Sequence, residues 1–294
     1  MRLVGRARDV VTPASGGAPV VCAEDGFEAK VGPDRTILAI EADPPRPALA
    51  GLVGQRGGGR LRLVLEDVVP EERRSVSPLY LILDDISGAS LVAGWAWSQW
   101  DPDWLALLRA AAENPELTKG FPDRTGICIG FAPDSSAFSI QVDRSGAPGP
   151  DLRNAEDPQG WHAFTAQDGA VGLRRARRID VSLGAQIVID SAFQDSATTP
   201  EGGRAVLHEY RLTATADPGS RRLLSVEAEP RVLPFSECPS AAGNLSRLEG
   251  TDLSDLRETV LAELRGTLGC THLNDALRAL ADAPALLRLL NDDA

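Results

Sequence analysis

Residues 206–216 read V-L-H-E-Y-R-L-T-A-T-A, and their alternation decides the fold class. Val206, His208, Tyr210, Leu212 and Ala214 fall on one face of an extended strand; Leu207, Glu209, Arg211 and Thr213 fall on the other. His208 therefore points with the apolar set. Around this strand lie three similar runs, at 173–182, 186–194 and 222–229, each rich in β-branched residues and bounded by turn residues. Residues 3–12, 19–31 and 36–43 repeat the pattern near the N-terminus. Helical stripes follow each group of strands. Leu61, Leu65 and Val68 mark a helix over 60–74. Leu253, Leu256, Val260 and Leu264 mark one ending at Gly266, and Leu273, Ala276, Leu277 and Leu280 mark the next. A short helix is expected over 284–290. Strands followed by helices indicate an α+β fold with antiparallel sheets. The apolar stretch L-Y-L-I-L-D-D-I-S-G-A-S-L-V-A-G-W-A-W after Pro78 is expected to be buried, and periodicity leaves helix and strand both open there. A helix is expected at 103–113 and a buried strand at 125–132.

A formal net charge of −12 argues against nucleic acid and anionic membranes as general partners. The basic residues are almost all Arg, with only Lys30 and Lys119 as lysines. The opening M-R-L-V-G-R lacks the apolar core of a signal peptide, and no run approaches the roughly 18 apolar residues of a membrane span. Cys22, Cys128, Cys238 and Cys270 are scattered, unlike a disulfide scaffold. A soluble cytoplasmic protein is expected, with its oligomeric state left open. Residues 143–160 are rich in Gly, Pro, Asp and Asn and read as a linker between units at 1–142 and 161–294.

The two units look related. I-L-A-I-E-A-D-P at 37–44 matches L-L-S-V-E-A-E-P at 223–230, and L-A-G-L-V-G at 49–54 resembles L-S-R-L-E-G at 245–250. L-D-D-I-S-G-A at 83–89 then resembles L-N-D-A-L-R-A at 273–279. The common order points to an internal duplication, with Ile37–Pro44 superposing on Leu223–Pro230. Tyr80 and Ile82 would stand where Cys270 and His272 stand, which places any chemistry in the second copy.

The stretch G-C-T-H-L-N-D-A-L-R-A-L at 269–280 carries that chemistry best. Thr271 reads as a helix cap, so Cys270 and His272 sit at a helix N-terminus that favours anions and thiolates. Asp275 lies where it can hold the His272 imidazole. Residues i and i+2 at a helix start do not face one another, so His208 is the better partner for Cys270. The candidate catalytic residues are His208, His272, Cys270, Asp275 and Glu209. The candidate substrate-binding residues are Tyr210, Trp95, Trp97, Tyr80 and Arg211. Four tryptophans, Trp95, Trp97, Trp100 and Trp104, fall close enough to line an apolar pocket or to close a core. His208, Cys238, Cys270 and His272 form a two-Cys, two-His set that zinc accepts, yet their spacing is unlike paired zinc motifs, so no metal is assigned. No phosphate-binding loop or dinucleotide fingerprint is present, so no cofactor is expected. Arg174, Arg175, Arg177 and Arg178 suit ion pairs with the excess acids better than a phosphate site.

The blocks H-E-Y-R-L-T-A-T-A-D-P, V-E-A-E-P-R-V-L-P-F-S-E-C-P and R-G-T-L-G-C-T-H-L-N-D resemble a bacterial family catalogued as domain of unknown function 2889, over roughly residues 170–285. The resemblance singles out His208, Cys238, Gly269, Cys270, His272 and Leu273, and implies a cytosolic bacterial protein associated with steroid, terpenoid or aromatic degradation. It brings no reaction with it. The expected function is acid/base chemistry of isomerase, lyase or hydratase type on a small, largely apolar compound. The alternative is a non-catalytic ligand- or partner-binding protein, with or without a structural zinc.

Overall fold

The computed structural model describes residues 1–13, 17–101, 103, 124–139, 146–149, 152, 159–163 and 169–292. The chain divides into two compact units. The first comprises residues 1–91, 152–164 and 285–294, and the second residues 92–151 and 165–284. The expected linker is thus shared between them, residues 143–151 going with the second unit and 152–160 with the first.

In the first unit, β1 (Arg2–Val11), β2 (Val20–Val31) and β3 (Ile37–Asp43) form an antiparallel meander in that order. A bulge follows Asp9, which pairs with Ala23. Its core joins Phe27 and Ile37 from the sheet to Leu49, Leu52, Leu61, Leu65, Leu79, Leu83 and Ile86. Each such leucine contributes about 1.5–3 kcal/mol by leaving water. The single helix expected over 60–74 is two: α1 (Leu61–Val68) and α2 (Pro70–Ser75). Pro70 has no N–H to continue the ladder, and Val69 before it leaves helical geometry. The apolar stretch after Pro78 is a helix, α3 (Pro78–Ser98). By length and composition α3 could cross a membrane, contrary to the reading of the sequence, but 56% of its apolar window is buried inside the protein.

The second unit carries a five-stranded antiparallel sheet. β4 (Ala147–Pro148) and β8 (Leu223–Val232) share one edge of β7 (Arg204–Ala216); β6 (Ile187–Thr198) and β5 (Leu173–Leu183) follow on the other side. A bulge follows Asp195, which pairs with His208. Downstream come an extended 3₁₀ segment (Cys238–Leu248), α4 (Leu256–Glu263) and α5 (Thr271–Ala279); α6 (Ala283–Asp292) follows and falls, from residue 285, in the first unit. Leu245, Leu248, Leu256, Val260, Leu273 and Leu277 are buried, as their stripes require. Residues 125–132 are not the expected strand. They form turns and a 3₁₀ turn at Ile129–Phe131: the N–H groups of Gly126, Phe131 and Ala132 bond within the segment and Ile127 N–H to Arg124 just before it, and of these residues only Ile129 N–H reaches further, to Gly269 O at 2.8 Å. The expected helix at 103–113 and Trp104 lie outside the described residues.

Matching backbone bonds recur in the two meanders. Ile37 N–H donates to Gln55 O at 2.8 Å and Gly54 N–H to Ile37 O at 2.8 Å; Leu223 N–H donates to Thr251 O at 2.8 Å and Gly250 N–H to Leu223 O at 2.8 Å. Gly54 and Gly250 take φ of 85° and 81°, a region that suits glycine.

Candidate functional site

α5 begins differently from the sequence expectation. Cys270, not Thr271, occupies the N-cap position, with extended backbone and no side-chain cap bond. Gly269 must precede it, since a Cβ there would stand 2.1 Å from Leu264 O and 2.8 Å from the Asn274 amide. That amide donates to Leu264 O at 2.8 Å and ties α5 to the end of α4. Because Cys270 is extended rather than helical, the i,i+2 argument against a Cys270–His272 contact does not apply, and the Cys270 sulfur reaches the His272 ring.

α5 packs on β7 and brings its second residue over His208. The two imidazoles stack, with ring centroids 3.4 Å apart and planes 18° from parallel. Both face one carboxylate that the sequence reading passed over. Asp195 Oδ2 is 3.3 Å from His208 Nδ1 and 4.0 Å from His272 Nε2. Neither nitrogen has a hydrogen-bond partner of acceptable geometry, although both are buried. Asp195 is itself gripped in bidentate fashion by Arg175, Nε to Oδ1 at 2.8 Å and Nη2 to Oδ2 at 2.9 Å. Arg175 also donates to Asp275 Oδ2 at 3.0 Å and lies over the Phe193 ring at 4.9 Å.

Electrostatics follow from this packing. Burial works against the Asp195 charge, but the Arg175 guanidinium outweighs it and holds the carboxyl well below its usual range. Burial, helped by His272, pushes His208 down to about 4 against the pull of Asp195. The Cys238 thiol is pushed up, first by donating its proton toward Cys270 and then by burial; the Cys270 thiol is correspondingly pushed down. Tyr210 is raised chiefly by burial, its hydroxyl facing the Cys270 sulfur. Cys128 is also raised by burial. A cleft of about 170 Å³ opens beside this corner, lined in part by Cys128, Leu261, Leu264, Gly269, Thr271 and Asn274.

Of the residues singled out from the sequence, His208, His272, Cys270 and Tyr210 converge, with Cys238 beside them. Asp275 does not hold His272; its bonds go to Arg175 and, at 3.9 Å, to Arg278. Glu209 points to the opposite face of β7, where it accepts from Gln194 Nε2 at 2.8 Å. Arg211 shares that opposite face and pairs with Asp190 at 3.3 Å, both half exposed. Tyr80 is buried in the core of the first unit. Trp97 is 57% exposed, Trp95 is half-buried on α3, and Trp100 Nε1 donates to Thr198 O at 2.8 Å. The arginine run forms ion pairs at Arg175 and at Arg178, whose Nε meets Asp180 at 2.7 Å. Asp195 lies one residue beyond the strand expected at 186–194, because β6 continues to Thr198. A charged residue continuing a buried alternating run was the available signal.

The histidine on β7, Cys238 after the Pro-containing turn and the G-C-T-H-L block thus meet in one place. Residues 173–286 match the family described as protein of unknown function (DUF2889). Arg175, Asp195, His208, Tyr210, Cys238, Cys270 and His272 all fall inside the DUF2889 segment, so the cluster belongs to that segment alone. No curated protein and no solved structure matches the chain.

Proposed function

We propose that this protein is an enzyme of isomerase, lyase or hydratase type, moving protons on a small, largely apolar compound at the Asp195–His208–His272 centre. One observation carries the reading. Two buried imidazole nitrogens, neither held by a well-aligned hydrogen bond, face one ionised carboxylate at 3.3 and 4.0 Å. A buried polar group left unbonded costs about 1–3 kcal/mol, so two imidazoles held off good hydrogen-bond geometry in one spot call for a reason beyond packing. Arg175 keeps the carboxylate charged, Cys270 borders the His272 ring, and a cleft lined in part by Ile127, Leu261, Leu264, Arg265 and Asn274 reaches Thr271, the neighbour of His272 in the chain. A cytoplasmic location is part of this proposal, as the resemblance of residues 173–286 implies.

The second reading is a non-catalytic ligand- or partner-binding protein. It is favoured by the tightness of the stack, whose side chains are only 5% and 13% exposed. Mass spectrometry of small molecules that co-purify with the full chain, followed by incubation of the compound found with fresh protein, separates the two. Chemical conversion that His272→Ala abolishes supports the enzyme; recovery of the compound unchanged supports the binder.

We further infer that β1–β3 and β6–β8 are two copies of one unit. Support comes from register as well as from the shared turn bonds. Asp9 pairs with Ala23 before a bulge, as Asp195 pairs with His208 before a bulge. Val31 meets Ile37 after a second irregularity, as Ala216 meets Leu223. The first copy keeps the aspartate and has alanine in the place of the histidine. A solved structure in which these strands fail to superpose would end the idea.

A further inference from the structure

We propose that Cys238 and Cys270 form a redox-active dithiol, an oxidation site that a small hydroperoxide converts to a disulfide. This activity needs no proton transfer at Asp195, His208 and His272; it belongs to the thiols beside that centre.

Three cysteines from separate segments are buried in one corner. Cys128, Cys238 and Cys270 are 6%, 4% and 2% exposed, and all three are free thiols. Backbone and amide bonds tie their segments together next to the sulfurs. Ile129 N–H donates to Gly269 O at 2.8 Å, which seats Cys128 beside Cys270. Asn244 Nδ2 donates to Leu268 O at 2.8 Å, which joins the 3₁₀ segment of Cys238 to the same turn. A Cβ at Gly130 would stand 2.8 Å from Cys238 Sγ, so the Cys128 turn lies directly on that sulfur. Cys238 donates its thiol proton toward Cys270. From that contact a disulfide forms when the sulfurs close to about 2.03–2.05 Å. The Cys128 sulfur is engaged differently, facing the backbone N–H groups of Phe131, Gly130 and Thr271.

The pair is asymmetric, as an attacking and a resolving thiol must be. Cys270 accepts from Cys238 and from the His272 ring, which together favour its thiolate against the cost of burial, while Cys238 keeps its proton. The thiolate is the reactive form, and oxidation-sensing cysteines stand next to a resolving partner. Tyr210 is 1% exposed, and its hydroxyl faces the Cys270 sulfur without a well-aligned hydrogen bond. An oxygen added to that sulfur gives the hydroxyl an acceptor. Burial sets the size of the oxidant. The cleft of about 170 Å³ touches Gly269 and Thr271, on either side of Cys270, and so suits a small hydroperoxide rather than a bulky disulfide.

The Cys270 sulfur attacks the terminal oxygen of the hydroperoxide. An S–O bond forms, the O–O bond breaks, and the Cys270 proton ends on the leaving oxygen as an alcohol or water. The Cys238 sulfur then attacks the sulfur of the Cys270 sulfenic acid. The S–S bond forms, the S–O bond breaks, and the Cys238 proton leaves with the hydroxide as water. Each thiol gives up one electron, and the hydroperoxide takes both.

The test uses the full chain, reduced, freed of reductant and treated with hydrogen peroxide. Remaining thiols are capped with N-ethylmaleimide in denaturant, and trypsin then separates the two cysteines at Arg247, Arg257 and Arg265. A linked Cys238–Cys270 peptide pair that dithiothreitol splits is expected from the folded chain. The same treatment in urea should lose that preference. Cys238→Ser should replace the linked pair by a Cys270 sulfenic acid that dimedone traps, and Cys128→Ser should still form the pair. Circular dichroism identifies any variant that fails to fold, and oxidation of the unaltered chain needs no variant. Peroxide that leaves Cys238 and Cys270 as free thiols in the folded chain overturns the proposal. Linkage of either one to Cys128 instead, or an equal preference for the pair in urea, overturns it as well. Glutathione disulfide should link the pair far more slowly than peroxide; equal rates would refute the hydroperoxide as the oxidant.

Discussion

The His208 and His272 rings lie face to face, centroids 3.4 Å apart, although 64 positions separate them in the chain (272 − 208). β7 supplies one and the start of α5 the other, so the pair depends on Leu273 and Leu277 burying α5 against the sheet. His272→Ala should therefore act on chemistry more than on folding. A fall of about 10²–10⁴-fold in kcat/KM is expected if the ring takes part in proton transfer. Thermal melting alongside steady-state rates checks this. Unchanged rate, ligand affinity and melting temperature together would remove the site from consideration.

Arg175→Met should cost about 3–5 kcal/mol, because it leaves the Asp195 charge buried and unpaired. Urea unfolding measures the loss. Adding Asp195→Leu to Arg175→Met should restore part of it, since the orphaned charge is then gone; a double variant less stable than the single one would contradict this account.

Gly269→Ala is expected to destabilise by about 1–3 kcal/mol. The new methyl would meet the Leu264 carbonyl, a backbone atom that cannot swing aside as a side-chain end can. Denaturant midpoints of the two proteins decide it, and equal midpoints would show that the α4–α5 corner relaxes freely.

Glu237 accepts hydrogen bonds from Ser136 N at 2.9 Å and Ser136 Oγ at 2.7 Å, chiefly the latter lowering its carboxyl below the usual value. A carboxyl depressed in the folded state stabilises above its unfolded value, about 4.3, and loses that contribution as pH falls through the folded value. Melting curves of the unaltered chain and Glu237→Gln should differ at neutral pH and converge in acid. A gap that widens on acidification would reverse the sign and refute the assignment.

Arg211→Ala serves as the contrast. Its pair with Asp190 is half exposed, so stability should change by no more than about 1 kcal/mol, and turnover should not change. A marked loss of substrate affinity would return Arg211 to the binding set.

What the chain determines by itself is the local pattern. Alternation at 206–216 places His208 and Tyr210 on the inner face, and that same rule, applied strictly, already puts Glu209 and Arg211 on the other. Stripe spacing places Leu273 and Leu277 inward, and charge excess anticipates the ion pairs of Arg175 and Arg178. These are short-range consequences of backbone period and burial. Tertiary structure alone decided which groups meet. Asp195 is one strand over from His208, and only the antiparallel register between β6 and β7 sets the two opposite each other. Asp275 has a helical neighbour within reach, yet Arg175, 100 positions earlier in the chain, takes its carboxylate. The extended backbone of Cys270, fixed by the close approach of Gly269 to Leu264, turns its sulfur toward His272, which helical spacing would forbid. Long-range pairing carries no signature in local composition, because the energy that selects it comes from burying whole faces together.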